Sequence, residues 1–572
     1  MTHFFPAGMP RHLTYPAVAV PQILTSAADT YGQRSAVADG DDTLSYTGML
    51  AGAQSIARFL TDQGVGPSSV VALHLPNVMH FFPAYYGALF TGAAVTLINP
   101  LQPAQGLAAQ LLDAGADTIV THPAHLAPVT EVVEQCGLRS VLVCDPTWSG
   151  PANADQLARA GKLCGTGPYV SLARVLDRPA PDFVPVLQDS DAVAHYAYTG
   201  GTTGRSKGVR VLHRNVIANV TQMAAWRLNS LVHAEPAEEA AAETSGERLV
   251  LRRIEGLPEP LVVPGADASI QVPPLFHAQG LATSNMFILG GVTIVLAGRF
   301  NPETFISLAD KWQATYTSGN PPLFLALAEH CRRTGATIDS MRLAISGAAP
   351  LDSTALSRIA AVMPNAAVGE GYGLTEGTCM ITSTSVLPGS PQHVGSVGVP
   401  VPDTHVQIRG VDGVTELPDG HEGELWVRGP QVTDGYSHAP EQTAAQFIDG
   451  WLRTGDIASK DADGFIRIHD RAKDMLIYKG YNVYPRELED IAAAHPAVAG
   501  IAVVGRPAGD AGQIPVAFIE PVQDATLDED EFLAWVAERV LPYQKIREVH
   551  VVEQLPISPT GKILKTELRD WL

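Results

Sequence analysis

A chain of 572 residues with a formal net charge of −21 is too long for one ordinary core and too acidic to favour a phosphate backbone. Apolar residues at 46%, charged residues at 17%, 52 glycines and 43 prolines exclude a disordered or fibrous chain. They imply roughly three or four turn-rich folding units and no nucleic-acid partner. Five cysteines without CxxC spacing exclude a disulfide or zinc framework and read as buried thiols of a reducing cytosol.

At the N-terminus, MTHFFPAGMPRHLTYP has no basic segment followed by an apolar run, so no signal peptide is expected and the reading is cytoplasmic. Two uncharged stretches, Val78 to Ile98 and Leu281 to Gly298, are long enough to imitate membrane spans. Pro83, Gly87 and Gly92 interrupt the first and Gly290-Gly291 the second, so each predicts a buried helix, a turn and a strand. From about residue 20 to 390, helical patterns alternate with short β-branched runs such as VVALHLP, SVLVCDP and LAISGAAP, the pattern of crossover units with mostly parallel sheets. Residues 235–247 are acidic and low in complexity, and the stretch 228–270 reads as an exposed insertion with no strand signal until about residue 270.

Between about 395 and 470 the texture changes to short alternating strands with Asp-Gly turns at 412–413, 419–420 and 463–464. After about residue 473 a helix, two strands, an acid-started helix and a further strand predict a separate α+β module. The expected fold is therefore α/β. A large N-terminal domain, residues 1–472, would hold mostly parallel sheets and a small β-rich barrel at about 395–470. A small mobile α+β domain, residues 473–572, would follow.

The strongest local signal is TGGTTGRSKG at 199–208. A strand runs into Thr199, Gly200, Gly201, Thr202, Thr203 and Gly204, and Lys207 follows. Glycines let backbone N–H groups turn toward an anion, hydroxyls add donors, and the lysine supplies charge, so the loop is built to cradle phosphate. It lacks the Walker A spacing. Gly204 to Gly208 also fits the G-x-S-x-G elbow of serine hydrolases, but VRVLH after it alternates like a strand where the elbow needs a helix, which discounts Ser206 as a nucleophile.

TGGTTGRSKG resembles the signature loop of the adenylate-forming superfamily, which includes acyl-CoA synthetases, firefly-type luciferases and adenylation domains. SGAAPL (346–351), GYGLTEG (371–377), GWLRTGD (450–456), DRAKDMLIYKGYNVYP (470–485) and SPTGKILKTELR (558–569) follow in that family's order. The resemblance implies ATP, Mg²⁺ and coenzyme A as reactants and cofactor. Tyr372 would stack on adenine, Thr375 would bond the α-phosphate and Glu376 would hold the metal ion, a hard cation suited to carboxylate oxygen. Glu370, Gly371 and Gly373 complete that nucleotide-binding string. Asp456 and Arg471 would hold the ribose, Lys562 would neutralise charge as the phosphate is attacked, and Lys473 would be the hinge. Lys479, Gly480 and Tyr481 resemble the loop that lines the thiol tunnel. Glu370 stands where many members carry Gln, Ile477 where luciferase-like members carry a second lysine, and the 228–270 insertion exceeds the family norm.

Amino-acid-activating members place an Asp in the pocket strand, whereas this chain has Pro274-Leu-Phe-His277-Ala-Gln-Gly280. An imidazole cannot replace that carboxylate opposite a substrate ammonium, so an α-amino acid is not expected. His277 would gate the acyl pocket, with a core histidine as the alternative reading. Gly347, Ala348 and Ala349 are small and leave volume for a chain or ring system. The implied activity joins a hydrophobic aliphatic, aryl or polycyclic acid to CoA, releasing AMP and pyrophosphate. A carrier protein on another chain is the alternative acceptor, and a homodimer is left open.

Overall fold

The computed structural model describes residues 3–144, 152–199, 207–236, 246–347, 351, 353–410, 412–472, 474–479, 481–522, 527–557 and 563–572. The chain divides into two compact units, the larger built from Phe4–His405 with Val427–Leu452 and the smaller from Val406–Trp426 with Arg453–Leu572.

The larger unit holds two wide sheets. One runs in the order Tyr169–Ser171, Ser140–Val143, Thr118–Thr121, Val70–His74, Ala94–Leu97, Val193–Thr199 and Lys207–Leu212. All its neighbours are parallel except the last pair, which is antiparallel. The other runs Val399–Pro400, Met380–Ser383, Ala367–Gly373, Leu343–Ser346, Tyr316–Gly319, Ala268–Gln271, Thr293–Leu296, Ser35–Asp39 and Asp42–Ser45, parallel through its centre. Central strands such as Thr118–Thr121 and Leu343–Ser346 are buried at every residue, as expected of parallel strands covered by helices on both faces.

Both membrane-like stretches are core elements. Helix Phe81–Phe90 is buried at all ten residues and hands over to strand Ala94–Leu97. Helix Ala278–Leu289 is buried everywhere except Gln279 and leads through Gly290-Gly291 into Thr293–Leu296. Among the described residues no helix is long and apolar enough to cross a membrane. None of the five cysteines forms a disulfide, and only Cys144 and Cys331 are fully buried, the other three being half-covered.

The 228–270 stretch is not the strandless insertion read from sequence. Ser230–Pro236 and Glu247–Arg253 pair antiparallel in unbroken register, Pro236 opposite Glu247 and Ser230 opposite Arg253. This hairpin docks on helix Pro21–Tyr31, where Ser26 Oγ accepts the Leu249 N–H at 2.8 Å and Gln22 donates to the Glu247 carbonyl. Charged residues on its outer face, such as the paired Glu235 and Arg252, masked its alternation from a sequence reading. The acidic residues 237–245 lie outside the described residues.

In the smaller unit, the Asp-Gly turns fall where expected, with Gly413, Gly420 and Gly464 all at positive φ. Strands Trp451–Lys460 and Ile466–Arg471 pair antiparallel. The C-terminal module has helix Pro485–Ala492, an antiparallel pair Val498–Pro507 and Gln513–Pro521, helix Glu529–Ala537 and strand Glu548–Val551 parallel to the second of the pair. Helix Glu529–Ala537 starts where its residues dictate. Asp528 accepts the Glu531 N–H at 3.0 Å, and three acids in the first turn face the positive end of the helix dipole.

The sheet and helices around Val70–His74 and Val193–Thr199 bury four neutral histidines. Burial lowers the pKa to about 3 for His74 and His195 and to about 4 for His122 and His213. Each ring is neutral in the native chain and takes up a proton on unfolding below about pH 6.5. The stability they contribute is complete above that pH and is lost as pH falls toward 4 and then 3, by up to about 1.4 kcal/mol per pH unit for each ring. Thermal melts at stepped pH should show Tm falling below pH 6.5, and His195→Gln should flatten that slope. A melting temperature unchanged between pH 7 and 5 would contradict this assignment.

Candidate active site

The signature loop closes a hairpin. Strand Val193–Thr199 and strand Lys207–Leu212 are antiparallel neighbours with Thr199 opposite Lys207, so residues 200–206 connect their ends. A strand starts directly after Ser206, which leaves no helix for a hydrolase elbow. Gly200, Gly201, Thr202, Thr203, Gly204 and Ser206 lie outside the described residues, as does the side chain of Thr199. Lys207 is the first described cation after the loop.

A segment that the sequence reading did not single out, Asp434 to Ser437, lies along the outer edge of Lys207–Leu212. Arg210 N–H donates to the Gly435 carbonyl at 3.0 Å, Ser437 N–H to the Gly208 carbonyl at 2.7 Å, and Tyr436 bridges to Val209. Gly435 has φ of 133°, and a Cβ there would lie 2.3 Å from the Thr443 methyl, so only glycine lets the chain turn. The result aims Tyr436 inward. Its hydroxyl lies 2.6 Å from Glu376 Oε1, and the Lys207 ammonium sits 5.3 Å above the centre of its ring.

Glu376 belongs to a short 3₁₀ turn, Thr375–Gly377, that follows strand Ala367–Gly373. The turn is fastened to the neighbouring segment, because the Glu376 backbone carbonyl accepts the Thr433 N–H at 2.9 Å and the Thr378 hydroxyl donates to the Gln431 carbonyl at 2.6 Å. Glu376 is 9% exposed. Thr375 and Tyr372 are half-buried beside it. Thus Lys207 from the signature loop and Glu376 from GYGLTEG meet through Tyr436, a residue whose only sequence signal was a glycine-tyrosine pair between two strand patterns.

Glu370 is buried, and its Oε2 accepts the Leu351 N–H at 3.1 Å. The carboxylate therefore ties strand Ala367–Gly373 to the SGAAPL turn. A Cβ built on Gly347 would lie 3.6 Å from the Gly371 carbonyl and 3.9 Å from Gln279 Nε2, which brings the turn, the strand and the helix of His277 to one place. Ala348 and Ala349 lie outside the described residues. His277 caps helix Ala278–Leu289, its Nδ1 accepting the Gln279 N–H at 3.4 Å. Behind it, a Cβ on Gly280 would stand 2.1 Å from the Pro274 carbonyl, so the helix can start this close to the preceding chain only with glycine.

In the smaller unit, Asp456 and Arg471 face each other across strands Trp451–Lys460 and Ile466–Arg471, with Nε 2.8 Å from Oδ1. Asp456 is buried, and its N–H is held by the Thr454 hydroxyl at 3.1 Å. Lys479 has φ of 49° and donates its N–H to the Ala511 carbonyl. Tyr481 is exposed and stacks on Tyr543 at 4.6 Å and 14°. Ile477 is exposed as well. Lys473, Gly480 and Lys562 lie outside the described residues.

Among the described residues no group of three or more His, Cys, Asp or Glu could hold a metal ion. A cation here would lean on a single carboxylate and on phosphate oxygens, which suits the hard, nearly buried oxygens of Glu376.

The family model for AMP-binding enzyme matches residues 24–437, and the model for the AMP-binding enzyme C-terminal domain matches 487–562. A long-chain-fatty-acid–CoA ligase of Bacillus subtilis is 31% identical over 99% of this chain and 96% of its own length. A 4-coumarate–CoA ligase of Oryza sativa is 31% identical over 94% of this chain and 91% of its own. ATP-bound MatB from Rhodopseudomonas palustris superposes with a TM-score of 0.80 at 25% identity, covering 96% of this chain and 98% of that one. The chain belongs to the AMP-binding, adenylate-forming enzyme family and is of its acid–thiol ligase type.

Proposed function

We propose that this chain activates an apolar aliphatic, aryl or polycyclic carboxylic acid with ATP and passes the acyl group to coenzyme A. The observation that carries the reading is the meeting of Lys207 and Glu376 on Tyr436, which joins the two motifs expected to hold phosphate. Two long CoA ligases of related sequence support the acceptor.

In the first half-reaction a carboxylate oxygen attacks the α-phosphorus of ATP, the bond to the bridging oxygen of pyrophosphate breaks, and acyl-AMP forms. Lys207 and the loop 200–204 bind the phosphates, Thr375 bonds the α-phosphate, and Tyr372 stacks on adenine. Asp456 accepts from the ribose hydroxyls with Arg471 beside it. Glu376 would hold a magnesium ion, which would supply neutralising charge to the phosphates. Lys562 supplies positive charge as the phosphorane forms. In the second half-reaction the thiol sulfur attacks the acyl carbon, its proton leaves to solvent, and AMP departs. His277 gates the acyl site and the Lys479–Tyr481 loop lines the thiol path. The module after Lys473 turns about that residue between the two steps. The direct test is product analysis with ATP, Mg²⁺, CoA and an acid panel. Acyl-CoA, AMP and pyrophosphate are expected, and release of ADP or preference for α-amino acids overturns the reading.

Lys562→Ala should slow acid-dependent ATP–pyrophosphate exchange by roughly 10²-fold or more while thioester formation from supplied acyl-AMP survives. Gly480→Leu should do the reverse, keeping exchange and losing acyl-CoA by crowding the thiol path. Equal loss of both half-reactions in either variant contradicts the assigned roles.

Tyr436→Phe removes one charge-assisted hydrogen bond to Glu376, worth about 1.5–3 kcal/mol. Exchange should fall by roughly tenfold or more, with half-saturation for Mg²⁺ moving upward and the Tm nearly constant. An unchanged Mg²⁺ dependence would show that Tyr436 does not position Glu376.

A further inference from the structure

Arg227 lies in the last turn of helix His213–Leu228 and is 7% exposed. Its Nη2 lies 3.6 Å from the Met380 sulfur, a weak acceptor, and its Nε and Nη1 have no hydrogen-bond partner. Among the described residues no carboxylate pairs with it. The negative end of its own helix offsets part of the charge. A buried guanidinium still leaves a large desolvation cost and two unsatisfied donors, an arrangement that persists in enzymes where a ligand completes it. The nearby Cys379 thiol does not supply the missing anion, since burial pushes its pKa up to about 12.

The position of Arg227 says what the ligand is. A Cβ built on Gly371 would lie 3.9 Å from Arg227 Nη2. The Gly371 carbonyl is also 3.6 Å from a Cβ on Gly347, which lies 3.9 Å from Gln279 Nε2 of the His277 helix. Gly371 puts no side chain of its own between the guanidinium and the space bounded by Gly347, Gln279 and the strand, and the Thr382 carbonyl and the Ser383 hydroxyl lie 3.5 and 3.8 Å from a Cβ built on Gly371. That space is the acyl site of the function proposed above, on which this inference rests.

We infer that Arg227 is a specificity-determining residue at the closed end of the acyl site, where it takes an oxygen acceptor on the part of the acid remote from the reacting carboxyl. The preferred substrates are acids with an apolar body and a second oxygen function. A distal carboxylate ranks first because only an anion both satisfies the N–H groups and neutralises the charge. A hydroxyl or ketone oxygen ranks second and a bare methyl end last.

The test uses the full-length chain and length-matched acids ending in methyl, hydroxyl or carboxylate, assayed by ATP–pyrophosphate exchange and acyl-CoA formation. The wild type should favour at least one oxygenated acid over its methyl counterpart by about tenfold or more in kcat/KM. Arg227→Met should bring that ratio toward one, chiefly by raising KM for the oxygenated acid, and Arg227→Lys should keep part of the preference. If Arg227→Met does not fold, Arg227→Lys and Arg227→Gln carry the same comparison. A wild type that prefers methyl-ended acids at every length, or variants that leave the ratio unchanged, overturns the inference while leaving the ligase reading intact. Absence of exchange with every acid overturns the ligase reading, and the inference falls with it.

Discussion

The short backbone pairing of Asp434–Ser437 with the edge of strand Lys207–Leu212 decides where the Lys207 and Glu376 side chains stand. Without it, Lys207 would be a flexible cation at a strand end and Glu376 a carboxylate on an isolated 3₁₀ turn. With it, Tyr436 reaches Glu376 at 2.6 Å and lies under the Lys207 ammonium at 5.3 Å. One aromatic ring thus restrains both charges, so less rotamer freedom is lost when the nucleotide binds. The same segment is held from below by Asn215, whose side-chain amide donates to the carbonyls of Pro430 and Val432 at 3.0 Å. The helix that begins at His213 therefore anchors the site it borders.

That helix also shows how the larger unit tolerates polar groups in its interior. Asn219 donates to the Met380 carbonyl at 3.0 Å and accepts its N–H at 3.2 Å, acting as a missing strand partner. Gln222 donates to the Pro402 carbonyl at 2.8 Å, and Trp226 donates to the Thr384 carbonyl at 3.2 Å. Each of these groups is satisfied, as buried polar atoms usually are. Arg227, one residue on, is the exception on this helix, with its Nε and Nη1 unsatisfied.

Close packing around one glycine sets where the His277 helix begins. Gly280 lets the His277 helix begin against the Pro274 carbonyl. A methyl added at Gly280 would have to displace the Pro274 backbone, and interiors at native density have little room to yield, whereas at Gly347 and Gly371 it would meet only ordinary contacts.

Periodicity and composition alone determined the alternation of helices and strands, the buried nature of the two membrane-like stretches, the Asp-Gly turns and the acid-capped helix at Glu529–Ala537. These depend on local spacing and turn chemistry, which a sequence carries directly. The motifs likewise named Glu376, Asp456 and Arg471 through resemblance to a family whose metal and ribose chemistry calls for those residue types, and Lys207 through its glycine-rich loop. The cross-strand pairing of Asp456 with Arg471, and the bridge from Lys207 to Glu376, were beyond sequence reach because they arise from register between segments far apart in the chain. The hairpin Ser230–Pro236 with Glu247–Arg253 was hidden for a related reason, since its charged outer face obscures alternation and only docking on helix Pro21–Tyr31 reveals its apolar side. Arg227 reads in the sequence as an ordinary basic residue at a helix end. Burial without an anionic partner is a property of packing, and only the tertiary structure decided it.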